Sequence, residues 1–236
     1  MEEIRDFSRL ENIPILIGVV TQEAEQYYNS ALLITPDGGM KQRYDKLHLV
    51  PFGEFLPLRK QLPFLADFVP IDDFTPGKHA KVFQWTLQDK IVHFSVAVCF
   101  EDTLAYINRM FVQNGAQLLI NITNDAWFGD TNEPYMHLQA AVFRTIETRR
   151  SLVRAANTGI SCVIDPYGRF MKFIQNANGK KTYIDGAAVF FVPVNSSTTI
   201  YTKVGDVFTY LCFLCILWQG FGRRVFKRKD QAKIDA

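Results

Sequence analysis

Apolar runs of strand length recur along the chain, separated by segments with helical periodicity, and this rhythm narrows the fold more than any other feature. The runs are Ile13 to Val20, Ala31 to Thr35, Ile91 to Phe100, Gln117 to Thr123, Leu152 to Asn157, Cys162 to Asp165 and Ala187 to Val194. Short runs of this kind, rich in β-branched residues and bounded by turn signals, read as strands. Helices are expected over Asp102 to Asn114 and Glu133 to Arg150, the second with Met136, Ala140, Phe143 and Glu147 at helical intervals. Turns fall at Pro36-Asp37-Gly38-Gly39, Pro76-Gly77 and Asp165-Pro166-Tyr167-Gly168. The expected class is therefore α/β (α+β), a layered sandwich. With 236 residues and 48% hydrophobic content, one domain can bury a large core, whereas two would be cramped.

Charge and cysteine usage remove several functions. The net charge is only +2, and the basic excess lies at the end, in Arg223, Arg224, Lys227, Arg228, Lys229 and Lys233. A nucleic-acid-binding domain would place that excess on a folded face, so no nucleic acid is expected as a partner. Cys99, Cys162, Cys212 and Cys215 lack the spacing of a zinc site, so no metal is expected. Cys212 and Cys215 sit in an apolar run and read as small buried hydrophobes.

That run, Val207 to Phe221, is uncharged and is followed at once by the basic cluster. It is somewhat short of the about 20 residues that span a bilayer, so a buried core helix is one reading. The flanking Tyr210 and Trp218 and the one-sided basic cluster favour a membrane helix with a cytoplasmic carboxy terminus. The residues before Val207 then lie on the opposite face. With no signal peptide at Met1 to deliver them, either the chain is one piece of a polytopic protein or the orientation is the reverse.

The segment HFSVAVCFED puts Cys99 at the end of a strand, with a helix opening at Asp102. A thiol held there meets the positive end of a helix and free backbone N–H groups, although a cysteine in an apolar strand is ordinarily core. A thiol near its usual pKa also needs a base or cation nearby. The loop-forming stretch YDKLHLVPFGEFLP supplies Lys46, His48 and Glu54. Lys46 is either a solvated charge or, near Cys99, a stabiliser of thiolate and oxyanion. In NITNDAWFGDT the strand ends at Asn124, Asp125, Trp127 and Gly129, which read as a cap and turn or as part of a site.

Taken in order, YDKLHLVPFGEFLP, VCFED, NITNDAWFGDT and RTIETRRSLVRAANTGISCVIDPYGR resemble the apolipoprotein N-acyltransferase family of the nitrilase superfamily. With the apolar helix and its basic end, the likeness covers most of Ile13 to Arg224. The lysine and CFE stretches also occur in soluble nitrilase relatives; LVPFGEFLP, NDAWFG and RAANTGIS mark the acyltransferase branch. The resemblance implies an α-β-β-α sandwich over residues 1–200, incomplete at its amino end, a transmembrane helix over 204–222 and a cytoplasmic tail over 223–236. It implies a bacterial inner-membrane location with the catalytic domain on the periplasmic face.

The resemblance also implies a reaction: Cys99 takes an acyl chain from a phospholipid as a thioester and passes it to the N-terminal amine of a lipid-modified apolipoprotein. Lys46 would stabilise the oxyanion. Glu54 and Glu101 match supporting acidic residues, and the Phe100 N–H is a candidate oxyanion donor. Trp127 and Asn124 would line the substrate pocket, and neither metal nor diffusible cofactor is implied. The family's triad glutamate lies in a WPE-like motif some two dozen residues before the strand at Ile13 to Val20, so the chain is expected to begin downstream of it. Glu2, Glu3 and Glu11 read instead as a solvated helix face. Phe55 to Ile71, with three prolines, is either a covered loop or a lid that enters lipid. The other readings are a soluble nitrilase-type amidase and a catalytically inactive fragment.

Overall fold

The computed structural model describes residues 1–219 apart from 41, 60, 62–63, 65–72 and 88. Most of the Phe55 to Ile71 lid, the last residues of the expected membrane helix and the basic tail lie outside the described residues. Helix α1 (Glu2–Glu11) leads into strands β1 (Ile15–Glu23), β2 (Gln26–Ile34) and β3 (Gln42–Asp45), which form an antiparallel sheet in that order. Glu2, Glu3 and Glu11 are exposed on α1, as expected of a solvated face. Strands β4 (Phe83–Leu87), β5 (Lys90–Val98), β6 (Leu118–Thr123), β7 (Leu152–Ala156), β8 (Cys162–Ile164) and β9 (Phe170–Phe173) form a second sheet, also in chain order.

The centre of the second sheet is parallel, β5 to β6 to β7, with antiparallel pairs on both sides. Parallel neighbours need crossovers, which α2 (Ala105–Gln113) and α3 (Glu133–Thr148) provide. The sheets face each other: a Cβ at Gly18 of β1 would lie 3.2 Å from the Ile122 side chain of β6. Val96, Phe83, Phe111, Leu119, Leu152 and Ile164 form part of one continuous core under α2 and α3. Helix α1 lies beside the turn at 35–40, where Arg9 crowds Gly38.

Four expectations need correction. The helix expected from Asp102 is two elements, a 3-10 turn (Cys99–Thr103) and then α2, because Leu104 is extended. The run Ala187 to Val194 is no strand; it crosses the surface with Val189 and Phe191 exposed, tied down by Ser151 Oγ donating to the Pro193 carbonyl. On α3 the buried face is not the Met136, Ala140, Phe143 stripe. Met136 and Phe143 are exposed, and His137, Leu138, Ala141, Arg144, Thr145 and Thr148 point inward. That inward face is largely polar, which inverts the usual amphipathic signal.

After α4 (Ile200–Val204), a helix runs over 207–219 with every residue exposed, so Cys212 and Cys215 are not buried. The helix is mostly apolar and its described residues are exposed all round, which leaves both thiols outside the core. No helix among the described residues is long and apolar enough to cross a membrane.

Candidate active site

All three parallel strands end at one cavity. Ligand sites favour the carboxyl ends of parallel strands because side chains and free N–H groups converge there. Cys99 follows β5, Asn124 follows β6 and Asn157 follows β7; all three line a cavity of about 720 Å³. Lys46, Glu54 and Asn29 line it from the smaller sheet and the loop after β3. Most other walls are apolar, among them Val19, Val98, Ile122, Phe52 and Trp127. Trp127 is 81% exposed and stands at the rim.

Cys99 is half-buried and has φ 53, in the left-handed region that a Cβ-bearing residue adopts at a cost of roughly 1 to 2 kcal/mol. Asn121 holds this turn by donating to the carbonyls of Cys99 (2.9 Å) and Ala97 (3.2 Å). Lys46 is almost fully buried, with Nζ donating to Glu54 Oε2 at 2.7 Å. Glu54 also accepts from Asn29 Nδ2 (2.7 Å) and the Val50 N–H (2.8 Å). Its oxygens are thus committed to shaping the loop and orienting the lysine.

Glu101 does not line the cavity. It is completely buried beneath it, accepting from the N–H groups of Leu47 (2.7 Å), His48 (3.1 Å) and Val98 (2.9 Å) and from Tyr44 Oη (2.8 Å). Burial raises the Glu101 carboxyl above its ordinary range, and the donated hydrogen bonds pull it part of the way back. One carboxylate thereby fastens the Lys46 loop to the Cys99 turn. Phe100 is exposed and its ring does not contribute to the cavity. Asn124 caps the second 3-10 turn (Asp125–Phe128), accepting from the Ala126 N–H, and also accepts from Asn157 Nδ2 at 2.6 Å. Trp127 is carried on that turn.

A second buried cluster lies behind these turns. His137 Nε2 is 2.6 Å from Asp102 Oδ1, and its Nδ1 is 3.3 Å from Asp125 Oδ1. Arg154 pairs with Asp102 through Nη1 and with Asp125 through Nη2 at 3.2 Å. Burial alone would lower His137 and raise Asp125. The paired carboxylates instead push the imidazole up to about 9, and the donors around Asp125 hold it below its usual value. The ligand atoms of Asp125, Glu133 and His137 lie within 4.8 Å of one another, a spacing that could hold a metal ion. The Arg154 guanidinium already occupies the cluster, with Nη2 2.9 Å from His137 Nδ1, so the chain itself supplies the positive charge there.

Sequence reasoning missed this cluster. Its signals were a charged residue in the apolar strand LVRAA and a histidine off the apolar stripe of α3.

A half-buried cysteine at a strand end and a buried lysine thus share one cavity between two facing sheets. The chain belongs to the carbon-nitrogen hydrolase family, whose model matches residues 1–186. It is 40% identical over 191 residues to an apolipoprotein N-acyltransferase from Geobacter metallireducens, covering 80% of this chain and 35% of that protein. It is 32% identical over 226 residues to apolipoprotein N-acyltransferase 2 of Treponema denticola, covering 93% of this chain and 41% of the other. The chain thus spans well under half the length of these relatives. Among solved structures, it resembles a mutant amidase from Nesterenkonia sp. AN1 with acrylamide added at its active-site cysteine. There the TM-score is 0.61 at 19% identity, over 90% of this chain and 74% of that one. That likeness establishes the fold.

Proposed function

We propose that this chain carries the catalytic cysteine of a lipoprotein N-acyltransferase. Cys99 Sγ, as thiolate, attacks the ester carbonyl of a membrane phospholipid; the ester C–O bond breaks, a lysophospholipid leaves, and a thioester remains on sulfur. The α-amine of an S-diacylglyceryl-cysteine at the N-terminus of an apolipoprotein then attacks that carbonyl. The C–S bond breaks, an amide forms and the thiol is restored.

Lys46, fixed by Glu54, faces the oxyanion of both tetrahedral intermediates, and the Phe100 N–H is the second donor. Glu54 has its lone pairs engaged by three donors, so it orients the lysine rather than taking the thiol proton. The proton acceptor on this reading is the glutamate that the family places upstream of β1. Glu101 acts beneath the site by joining the Lys46 loop to the Cys99 turn.

The observation that carries this reading is the convergence of Cys99 and Lys46 on a single, mostly apolar cavity with an exposed tryptophan at its rim. Such walls suit an acyl chain better than a small polar amide. The apolar segment 204–222 would anchor the domain in the bacterial inner membrane, with the cavity on the periplasmic face and residues 223–236 in the cytoplasm. Intact mass spectrometry of the membrane protein, expressed with its upstream part, should find a hydroxylamine-labile fatty acyl adduct on Cys99. An adduct that survives Cys99→Ala would sink the assignment, and turnover of small amides with no acylation by phospholipid would point to an amidase.

A further inference from the structure

Beyond the ends of β5 and β6 the backbone ladder stops. The turns bearing Cys99 and Trp127 are nevertheless held together, and the atoms that join them are side chains. Asp102 belongs to the Cys99 turn and Asp125 to the Trp127 turn, and His137 from α3 touches both, at 2.6 and 3.3 Å. Arg154 from β7 touches both carboxylates from the other side. Thr123 Oγ1 adds a bond to Asp125 Oδ1 at 2.8 Å. Asp102 and Asp125 are fully buried, Arg154 is 2% exposed and His137 5%.

The loop after β7 is drawn into the same cluster. A Cβ at Gly159 would lie 1.9 Å from Asp125 Oδ2, so the backbone there presses directly on the carboxylate. All three loops at the carboxyl ends of the parallel strands therefore bear on this ring of charges. Stability alone does not account for it: buried ion pairs can often be replaced by apolar residues without loss, while breaking one partner is costly. What the ring supplies is relative position. A left-handed residue such as Cys99 keeps its conformation only where its surroundings over-determine it.

We propose that His137 is a positioning residue that, through Asp102 and Asp125, fixes the Cys99 turn against the Trp127 turn in the geometry needed for acyl transfer. The role rests on the acyltransferase reading given above, but the geometry of the thiol can be probed without any acyl donor. The experiment uses the full-length membrane protein and its His137→Gln and Thr123→Val variants, all carrying Cys212→Ser and Cys215→Ser so that the exposed thiols do not react. Two quantities are measured: the rate of Cys99 alkylation by iodoacetamide, and kcat and KM for acyl transfer per titratable thiol.

For His137→Gln, alkylation and kcat should each fall about 10- to 100-fold, the range found when groups that orient a site's ligands are lost. KM for the phospholipid should stay within about 2-fold. Thr123→Val, which removes a single bond to Asp125, should shift alkylation and kcat in the same direction by a smaller factor. It also keeps the proposal open to refutation if His137→Gln fails to fold. Rates per titratable thiol that match the wild type, with only the yield of folded protein reduced, would overturn the proposal. Slowed alkylation in variants of a protein that transfers no acyl group would support positioning and defeat the acyltransferase reading instead.

Discussion

The Lys46 side of the cavity and the His137 cluster behind it are built on opposite plans. Around Lys46, the carboxylates of Glu54 and Glu101 accept chiefly from backbone N–H groups and neutral side chains, with one ammonium among them. Around His137, two carboxylates meet a guanidinium and an imidazole, so the buried charges are compensated among side chains contributed by four separate elements. The first plan shapes a loop, because an acceptor for successive N–H groups dictates backbone conformation. The second locks finished elements to one another, because each partner is already fixed on its own strand, helix or turn. On the proposed reading, a cavity that presents a reactive thiol to a buried lysine needs both.

The largest effect separating the two plans should come from Lys46→Met. The change removes the cation facing the oxyanion while Glu54 keeps Asn29 and the Val50 N–H, so kcat should drop roughly 10²- to 10³-fold in a protein that still folds. A loss no greater than that of His137→Gln would show that the lysine is not the main electrostatic element.

Next in size is Glu101→Ala, which strands three buried N–H groups and Tyr44 Oη. Unfolding in urea should report a loss of about 3 kcal/mol. A loss below about 1 kcal/mol would mean that water replaces the carboxylate and the loop does not depend on it.

The most selective effect is on pH. His137 is held near 9 in the fold against an ordinary 6.5, so its contribution is complete below pH 6.5 and is lost as pH rises through 9. Stability should decline across that window by at most about 1.4 kcal/mol per pH unit. Cys162, pushed up to about 12 by burial, adds its own decline only above its ordinary 9. In His137→Gln the slope between 6.5 and 9 should vanish; an unchanged slope would assign the titration to another group.

The Lys46 side was legible in the sequence because Lys46 and Glu54 lie in one continuous stretch and Cys99 sits where an apolar run breaks. Strands β5 to β8 were legible for the same reason, each being a short apolar run. Strands β3, β4 and β9 were not: QRYD is largely polar, and the apolar residues of FQWTL and FMKF fall in segments of only five and four residues, broken by Gln84, Thr86 and Lys172. The His137 cluster escaped because its members come from four segments, and no local pattern links Asp102, Asp125, His137 and Arg154. The run Ala187 to Val194 misled in the other direction: its composition suits a strand, but no neighbouring strand offers it a ladder, and its side chains face outward.

The left-handed backbone at Cys99 bears on how such an enzyme would decay. Glycine adopts φ 53 freely, so Cys99→Gly should raise unfolding stability by about 1 kcal/mol relative to Cys99→Ala, in which the Cβ remains. Chemistry and robustness pull in opposite directions at this position. Were the thiol no longer needed, the change that relaxes this turn would be loss of the Cβ along with the sulfur, leaving a sturdier shell with its lysine and its ring of charges still in place.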